Sequence, residues 1–220
     1  MGIERFTIFA ERCSGTNFLA HAMMNNFDIP LTWDFGYKHF FGHNSYEGQE
    51  NCLFLCIVRN PLDWFNSMYR TPHHFRFEMR HHRNNFLNLP VISYERVTPT
   101  HEIKDKEILQ DRNMHTGEHY KNIFELRTVK FDYLINILPR LVDNCHIVTL
   151  GELQRYYKNE LGDITAKFGL NKKHEHFQGV PNYKGGNVRY NPNRELHNEF
   201  KIEDIKYGLD LSVETLLFDL

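Results

Sequence analysis

The stretch from Asn51 to Arg70, NCLFLCIVRNPLDWFNSMYR, contains the clearest buried strand of the chain, followed at once by a helix start. Its first part, CLFLCIV, has no charged residue, which is typical of a strand that is covered on both faces. Pro61 suits the first turn of a helix, because the N–H that proline lacks would have no partner there. The stretch therefore predicts one strand–helix unit of an α/β fold.

Similar units occur on both sides of this stretch. RFTIFA at residues 5–10 predicts a short buried strand, and NFLAHAMMNNF at 17–27 has apolar positions at helical spacing. CHIVTL at 145–150 predicts another buried strand, and residues 151–169 predict a helix capped by Gly169. Alternating strands and helices predict an α/β fold with a mainly parallel central sheet.

Three other segments have weaker patterns. Residues 29–40, IPLTWDFGYKHF, predict a second extended segment. Residues 122–141 predict a long helix that is broken near Pro139, because proline removes a helical hydrogen bond. Residues 211–220, LSVETLLFDL, predict a closing helix on the body of the protein.

Residues 71–118 differ from the rest of the chain in composition. They are rich in His, Arg and Asn and contain three prolines. We expect an inserted loop or helical lobe, or a lid, within a single domain that spans residues 1–220. The basic run at 70–83 either closes over an anionic ligand or forms a solvated face, and both interpretations stay open.

Charge and cysteine usage exclude several classes of protein. Twenty-six basic residues against 28 acidic ones give a net charge of -2, so we expect no nucleic-acid partner and expect any anion to be bound by a few local residues. No apolar run approaches a membrane span. The four cysteines form no CxxC pair, which favours a reduced, cytoplasmic location without a metal site, and Cys52 and Cys56 fall on one strand face as core residues.

The first motif is ERCSGTN, residues 11–17, between the first strand and its helix. Free backbone N–H groups and the positive end of the helix converge on such a turn, which makes it suited to phosphate. Gly15 lets the backbone approach a ligand closely. Thr16 and Asn17 stand where a Walker loop has Lys and Ser or Thr, which disfavours a kinase or NTPase.

This loop resembles that of the sulfotransferase superfamily, which reads Pro, then Lys or Arg, then Ser-Gly-Thr-Thr. In that superfamily the loop holds the 5'-phosphosulfate of 3'-phosphoadenosine 5'-phosphosulfate (PAPS). Ser14, Gly15 and Thr16 match the pattern, and Asn17 replaces its second Thr. The resemblance implies a three-layer P-loop-type fold.

The basic position of the loop departs from the family pattern. Cys13 occupies it, and Arg12 stands one residue earlier. Either Arg12 reaches the bridging oxygen from that position, or the usual charge is missing. We include Arg12 among the candidate catalytic residues and both Arg12 and Cys13 among the cofactor-binding ones.

The second motif is RNPLDWFNS, in which Arg59 and Ser67 lie eight residues apart. The superfamily has an Arg and a Ser at this spacing after a buried strand, where both hold the 3'-phosphate of PAPS. An Arg at a strand end offers a forked charge to phosphate oxygens. Asp63 falls in the first turn of the following helix, where the helix dipole favours a carboxylate.

A third element, GYKHFFGH, contains Lys38 and His39. Cytosolic members of the superfamily have a Lys and a catalytic His near this point, with one residue between them, whereas here they are adjacent. The resemblance implies that His39 accepts a proton from the attacking hydroxyl and that Lys38 stabilises the leaving phosphate. Adjacent strand residues face opposite ways, so His43 is the alternative base.

Two later features are weaker. Lys184 and Gly185 belong to a Gly-containing basic stretch that resembles, in placement only, the superfamily's loop over the 3'-phosphate. Arg127 and Lys130 are three residues apart on the long helix, which more often marks a surface pair than a ligand site.

Taken together, the motifs predict a PAPS-dependent sulfotransferase that needs no metal and acts on a hydroxyl or amine of a small-molecule or carbohydrate acceptor. Transfer would be an in-line displacement at sulfur that relies on positioning and charge stabilisation. Two alternatives stay open: a P-loop kinase or NTPase, and a binding protein on the same fold that has lost catalysis.

Overall fold

The apolar run Cys52–Val58 is the central strand, β2, of a three-stranded parallel sheet in the computed structural model, which describes residues 2–79, 82–95, 106–183, 188–189 and 198–220. Strands β1 (Arg5–Phe9) and β3 (Cys145–Thr149) flank it. Strands β4 (Asn182–Tyr183) and β5 (Val188–Arg189) form a separate antiparallel pair. The prediction of an α/β protein with a parallel sheet is confirmed.

At least one helix follows each strand of the parallel sheet. They are α1 Thr16–Asn26, α2 Pro61–Arg70, α3 Arg83–Asn88, α4 Ile123–Asp132, α5 Leu138–Leu141, α6 Leu150–Arg155, α7 Tyr157–Phe168, α8 Ile202–Ile205 and α9 Leu211–Glu214. Single turns of other helix types occupy Phe77–Met79, Leu109–Asp111 and Tyr133–Ile137. Pro61 begins α2, and the Asn60 side chain caps it by accepting from the N–H of Leu62.

Successive residues of β2 pack on opposite faces of the sheet, so helices cover both. Leu53, Leu55 and Ile57 contact a cluster that includes residues of α1 and α7. Cys52, Phe54, Cys56 and Val58 pack with Phe131 of α4 and Leu138 of α5 on the other face. Both cysteines are fully buried, as their even spacing predicts.

A third apolar cluster joins α2 to described residues of the 71–118 segment. Trp64 and Phe65 of α2 pack there with Phe75 and Phe86, and Phe200 joins them from the C-terminal part of the chain. The described residues of the predicted insert therefore have a buried core in common with α2.

Several local predictions need correction. Residues 29–40 do not form a strand: Leu31 bridges to β1 at Phe6, and the chain then turns through Gly36 with φ at 116°. The helical path does not break near Pro139, because this residue lies in the first turn of α5 directly after a π-helical turn.

Residues 151–169 form two helices, α6 and α7, that meet at Tyr156, whereas the sequence predicts one. The predicted cap at Gly169 is confirmed, with φ at 62°. The predicted closing helix is the single turn α9. In the described part of the chain, no helix has both the length and the apolar character needed to cross a bilayer.

Candidate functional site

The loop between β1 and α1 requires a glycine at position 15. Gly15 has φ at 94°, in the left-handed region, and a Cβ added there would lie 2.6 Å from Cδ1 of Leu150. Cys13 also has a positive φ, of 63°, which is uncommon for a residue with a side chain. The tight turn thus brings the loop against the start of α6.

The same loop presents hydrogen-bonding groups without protein partners. Ser14 is fully buried, and its Oγ has no hydrogen-bond partner among the described residues. In the part of the chain that the structure describes, no side chain caps the N-terminus of α1. Within the described ranges, the N–H groups of Ser14, Gly15 and Thr16 donate to no backbone acceptor. A buried polar group without a partner is costly, so this loop is suited to an anionic ligand.

The guanidinium of Arg12 contacts residues that follow α2 rather than solvent. It pairs with Asp111 at 2.9 Å and donates to Ser93 Oγ at 3.0 Å and to the His73 carbonyl at 3.2 Å. It also lies over the ring of Phe75, 4.4 Å from the centroid. A phosphosulfate could reach Arg12 only by displacing Asp111, which limits the role predicted for this cation.

Lys130 belongs to the same buried network. Its Nζ pairs with Asp111 and donates to the His39 carbonyl at 2.8 Å. Burial alone would raise the pKa of Asp111, but the charges of Arg12 and Lys130 outweigh it and lower that pKa. The prediction that Arg127 and Lys130 form a surface pair is wrong, because their exposed fractions are 0% and 2%.

Arg127 joins two carboxylates beneath the loop. It pairs with Glu11 of the loop and with Glu214 of α9, and it donates to the Arg59 carbonyl at 3.0 Å. Burial raises the pKa of Glu11 to about 7, although the charge of Arg127 opposes the shift. This network connects the loop, the end of β2 and the C-terminal part of the chain.

Arg59 follows β2 directly and reaches the loop. Its Nη1 donates to the Cys13 carbonyl at 3.0 Å, and Trp64 Nε1 donates to the Arg12 carbonyl at 2.8 Å. Ser67 lies half-buried in the second turn of α2. The two motifs singled out in the sequence are thus in direct contact through Arg59.

A cleft of about 580 Å³ opens beside Arg59. The ends of β2 and β3, the junction of α6 with α7, and the C-terminal residues form its walls. Six of the lining residues are Arg59, Asp63, Thr149, Arg155, Tyr156 and Phe218. Its volume falls within the range of small-molecule sites.

Lys38 and His39 contact opposite ends of the loop. Lys38 Nζ donates to Asn17 Oδ1 at 2.7 Å, and His39 Nδ1 lies 2.9 Å from the Ala10 carbonyl. Burial lowers the pKa of His39 to about 3. Because a turn rather than a strand holds these two residues, both side chains reach the loop despite being adjacent.

The remaining candidates are less central. His43 is exposed as a whole residue and lies beside the backbone of Gln110 and Arg112. Partial burial of its ring lowers its pKa. Lys184 and Gly185 lie outside the described residues. Among the residues that the structure describes, no three His, Cys, Asp or Glu side chains are grouped so that they could hold a metal.

Sequence reasoning missed the carboxylates that neutralise the buried cations. Asp111 and Glu214 are distant in sequence from the residues they bind, and Glu11 lies inside the loop motif without belonging to the pattern. One signal was present: two cations three residues apart on a helix flanked by apolar residues need buried anions if that face is packed.

No protein-family model, curated protein or solved structure matches this chain. The fold and the site define an α/β protein with a parallel sheet, whose first strand–helix loop holds the buried Ser14 Oγ without a hydrogen-bond partner among the described residues. Arg59 and Lys38 lie against that loop, and a cleft adjoins Arg59.

Proposed function

We propose that this protein is a PAPS-dependent sulfotransferase on a P-loop-type fold, which moves a sulfuryl group to a hydroxyl of a small-molecule or carbohydrate acceptor. The observation that carries the proposal is the contact between the two motifs. Arg59 of the second motif donates to the Cys13 carbonyl of the first and lines the adjoining cleft. Both motifs resemble those of the superfamily in order and spacing.

The donor groups of the site fit a ligand with two anionic ends. Ser14 Oγ and the unpaired loop N–H groups suit the 5' end, because fixed dipoles near a helix start favour negative charge. Arg59 suits the 3'-phosphate, since a guanidinium can donate two parallel hydrogen bonds to phosphate oxygens. The cleft beside Arg59 has room for the nucleoside.

The proposed transfer is an in-line displacement at sulfur. The acceptor oxygen bonds to sulfur while the bond from sulfur to the bridging phosphate oxygen breaks, and the leaving phosphate keeps the electron pair. Lys38, held at Asn17, stabilises the charge that develops on that phosphate. Arg12 would add to this only after leaving Asp111.

His39 is the proposed proton acceptor. The Ala10 carbonyl can only accept a hydrogen bond, so Nδ1 carries the ring proton and Nε2 keeps its lone pair. The lowered pKa keeps the ring neutral at physiological pH. His39 is therefore neutral, as a general base must be before transfer, but a pKa this far below neutral makes it a weak base, so its assignment rests on its position beside the loop.

One observation favours a second candidate, a sulfotransferase-fold binding protein without catalysis. Cys13 carries no charge at the loop's basic position, and Asp111 neutralises the nearby Arg12. On this alternative the chain binds the nucleotide but does not transfer sulfate. A Cys13→Lys variant that gains transfer activity from an inactive parent would support it.

Transfer of labelled sulfate from PAPS to pools of sugars and small alcohols tests the proposal. We expect product with the wild-type chain and a large loss with Arg59→Ala. Binding of the nucleotide without any product would favour the binding protein. Hydrolysis of ATP that depends on Mg²⁺ would instead indicate the kinase or NTPase class.

A further inference from the structure

Two large aromatic side chains are exposed side by side in the turn-rich segment between α1 and β2. Trp33 is 41% exposed and Tyr37 is 46% exposed. Their ring centroids lie 5.5 Å apart, and the ring planes are tilted by 42°. Paired exposed aromatic rings are costly to hydrate, which makes them candidates for a ligand-binding surface.

This aromatic pair adjoins the proposed transfer site. The Tyr37 centroid is 5.7 Å from Lys38 Nζ and 5.8 Å from the His39 ring centroid, which it meets edge to face. Lys38 in turn donates to Asn17 at the start of α1. A ligand on the Tyr37 ring would therefore lie next to His39, the proposed base, and next to Lys38, the cation that contacts the loop between β1 and α1.

Two polar residues lie in the same segment as the rings. Asp34 follows Trp33, and its side chain is 59% exposed while it pairs with Arg5. The amide of Asn44 lies over Gly36, where an added Cβ would be 3.2 Å from Nδ2. Carboxylate and amide groups beside an aromatic face can bind hydroxyls that project from the rim of a stacked ring.

We propose that Trp33 and Tyr37 form a carbohydrate-binding platform. On the proposed function, on which this step rests, the sugar is the sulfate acceptor. A pyranose offers an apolar C–H face to the rings and hydroxyls to Asp34 and Asn44. A phenol would need an enclosed apolar pocket, because small aromatic ligands bury most of their surface, whereas both rings here are open to solvent.

The test begins with an array of immobilised neutral and anionic oligosaccharides, probed with the full chain in the absence of nucleotide. The tightest oligosaccharide is then titrated by calorimetry into wild type, Trp33→Ala and Tyr37→Ala. We expect each variant to weaken binding by roughly tenfold or more, since each removes one stacking face.

Tyr207→Ala is the matched control, because Tyr207 is an aromatic residue that is 89% exposed elsewhere on the chain. Its affinity for the oligosaccharide should equal that of wild type. Thermal unfolding of all three variants verifies that they fold. If only one of Trp33→Ala and Tyr37→Ala folds, its comparison with Tyr207→Ala still tests the proposal. Failure of every oligosaccharide to bind, equal affinity in the platform variants, or binding of 1-naphthol in place of sugars overturns the proposal.

A separate titration with 3',5'-adenosine bisphosphate distinguishes this inference from the proposed function. Nucleotide binding without sugar binding rejects the platform and leaves the sulfotransferase proposal standing. Sugar binding at Trp33 without nucleotide binding supports the platform and rejects sulfate transfer.

Discussion

Gly15 meets two requirements at once, a left-handed backbone and close approach to Leu150. We predict that Gly15→Ala lowers the free energy of unfolding by about 2–3 kcal/mol, because it adds backbone strain and a clash. It should also abolish nucleotide binding by moving the loop. Urea denaturation and calorimetry measure the two effects.

Gly169→Ala separates strain from clash. Gly169 also has a positive φ, of 62°, but an added Cβ would meet nothing within 4 Å. This variant should cost only about 1 kcal/mol, from the left-handed backbone alone. Equal costs for the two substitutions would show that the contact with Leu150 has no effect.

Because of Glu11, the free energy of unfolding should fall as the pH rises, which is opposite to the effect of most carboxylates. Its pKa rises from 4.5 to about 7 on folding, so the folded state retains its proton where the unfolded state does not. The resulting stability is present at low pH and is lost as pH rises through 7. We predict that wild type loses about 2–3 kcal/mol relative to Glu11→Gln between about pH 5 and pH 8.

Guanidinium denaturation of both chains across that pH range measures the difference. Other titrating groups affect both chains alike, so the subtraction isolates Glu11. Parallel stability curves for the two chains would mean that Glu11 does not retain a proton when folded.

Arg59 and His39 should differ in what their loss affects. Arg59→Ala should weaken binding of 3',5'-adenosine bisphosphate by roughly 10- to 100-fold, the range for lost charge-assisted hydrogen bonds. His39→Ala should leave that affinity nearly unchanged and reduce kcat by roughly 100-fold or more. Calorimetry and the sulfate-transfer assay measure the two quantities, and equal binding losses would contradict the assigned roles.

Arg59→Lys is the control for the first substitution. It keeps the charge but loses the forked geometry, so it should retain an intermediate affinity. Because Arg59 also holds the Cys13 carbonyl, a thermal unfolding curve for each variant separates a lost ligand contact from a loosened loop.

At the scale of elements, α4 connects the loop to α9 through Arg127. Removing this side chain leaves Glu11 and Glu214 buried near each other without the cation that pairs with both. We predict that Arg127→Ala lowers the free energy of unfolding by about 3–5 kcal/mol, as for other broken buried ion pairs. Urea denaturation measures the loss.

Glu214→Gln is the less destabilising substitution in the same buried network. It leaves Arg127 paired with Glu11 and preserves a hydrogen-bonding side chain on α9, so it should cost clearly less than Arg127→Ala. If Arg127→Ala were as stable as Glu214→Gln, the buried pairs would contribute little to the fold.

The three strands of the parallel sheet could be predicted from the sequence because each is a short, mostly apolar run, although β3 is less buried than β1 and β2. The structure of residues 29–40 could not be predicted in this way, since their apolar and aromatic side chains lie in turns. The segment bridges to β1 at Leu31. The helical path through Pro139 also escaped prediction. A π-helical turn before α5 places this proline where its missing N–H costs nothing.

Only those parts of the candidate site that depend on local sequence patterns could be predicted. The loop and Arg59 each follow a buried strand, and the ends of parallel strands lie at the same edge of a sheet, which accounts for their contact. The pairing of Arg12 with Asp111 joins residues far apart in sequence and depends on how residues 71–118 pack. No spacing rule encodes such a contact.

At the scale of the whole molecule, the net charge of -2 does not show that the cationic side chains lie in two different environments. Arg12, Arg127 and Lys130 are buried against carboxylates, so these three cations are already neutralised within the fold. Arg59 and Lys38 instead lie against the loop whose Ser14 Oγ is unpaired. An anionic ligand would thus be held by few residues, as the charge balance of the sequence predicts.

Calorimetric titration of the wild-type chain with 3',5'-adenosine bisphosphate tests the central claim most directly, because it requires no knowledge of the acceptor. We predict saturable binding at one site, with a clearly weaker response from adenosine 5'-monophosphate, which lacks the 3'-phosphate assigned to Arg59. Absence of binding, or equal affinity for the two nucleotides, would contradict the account.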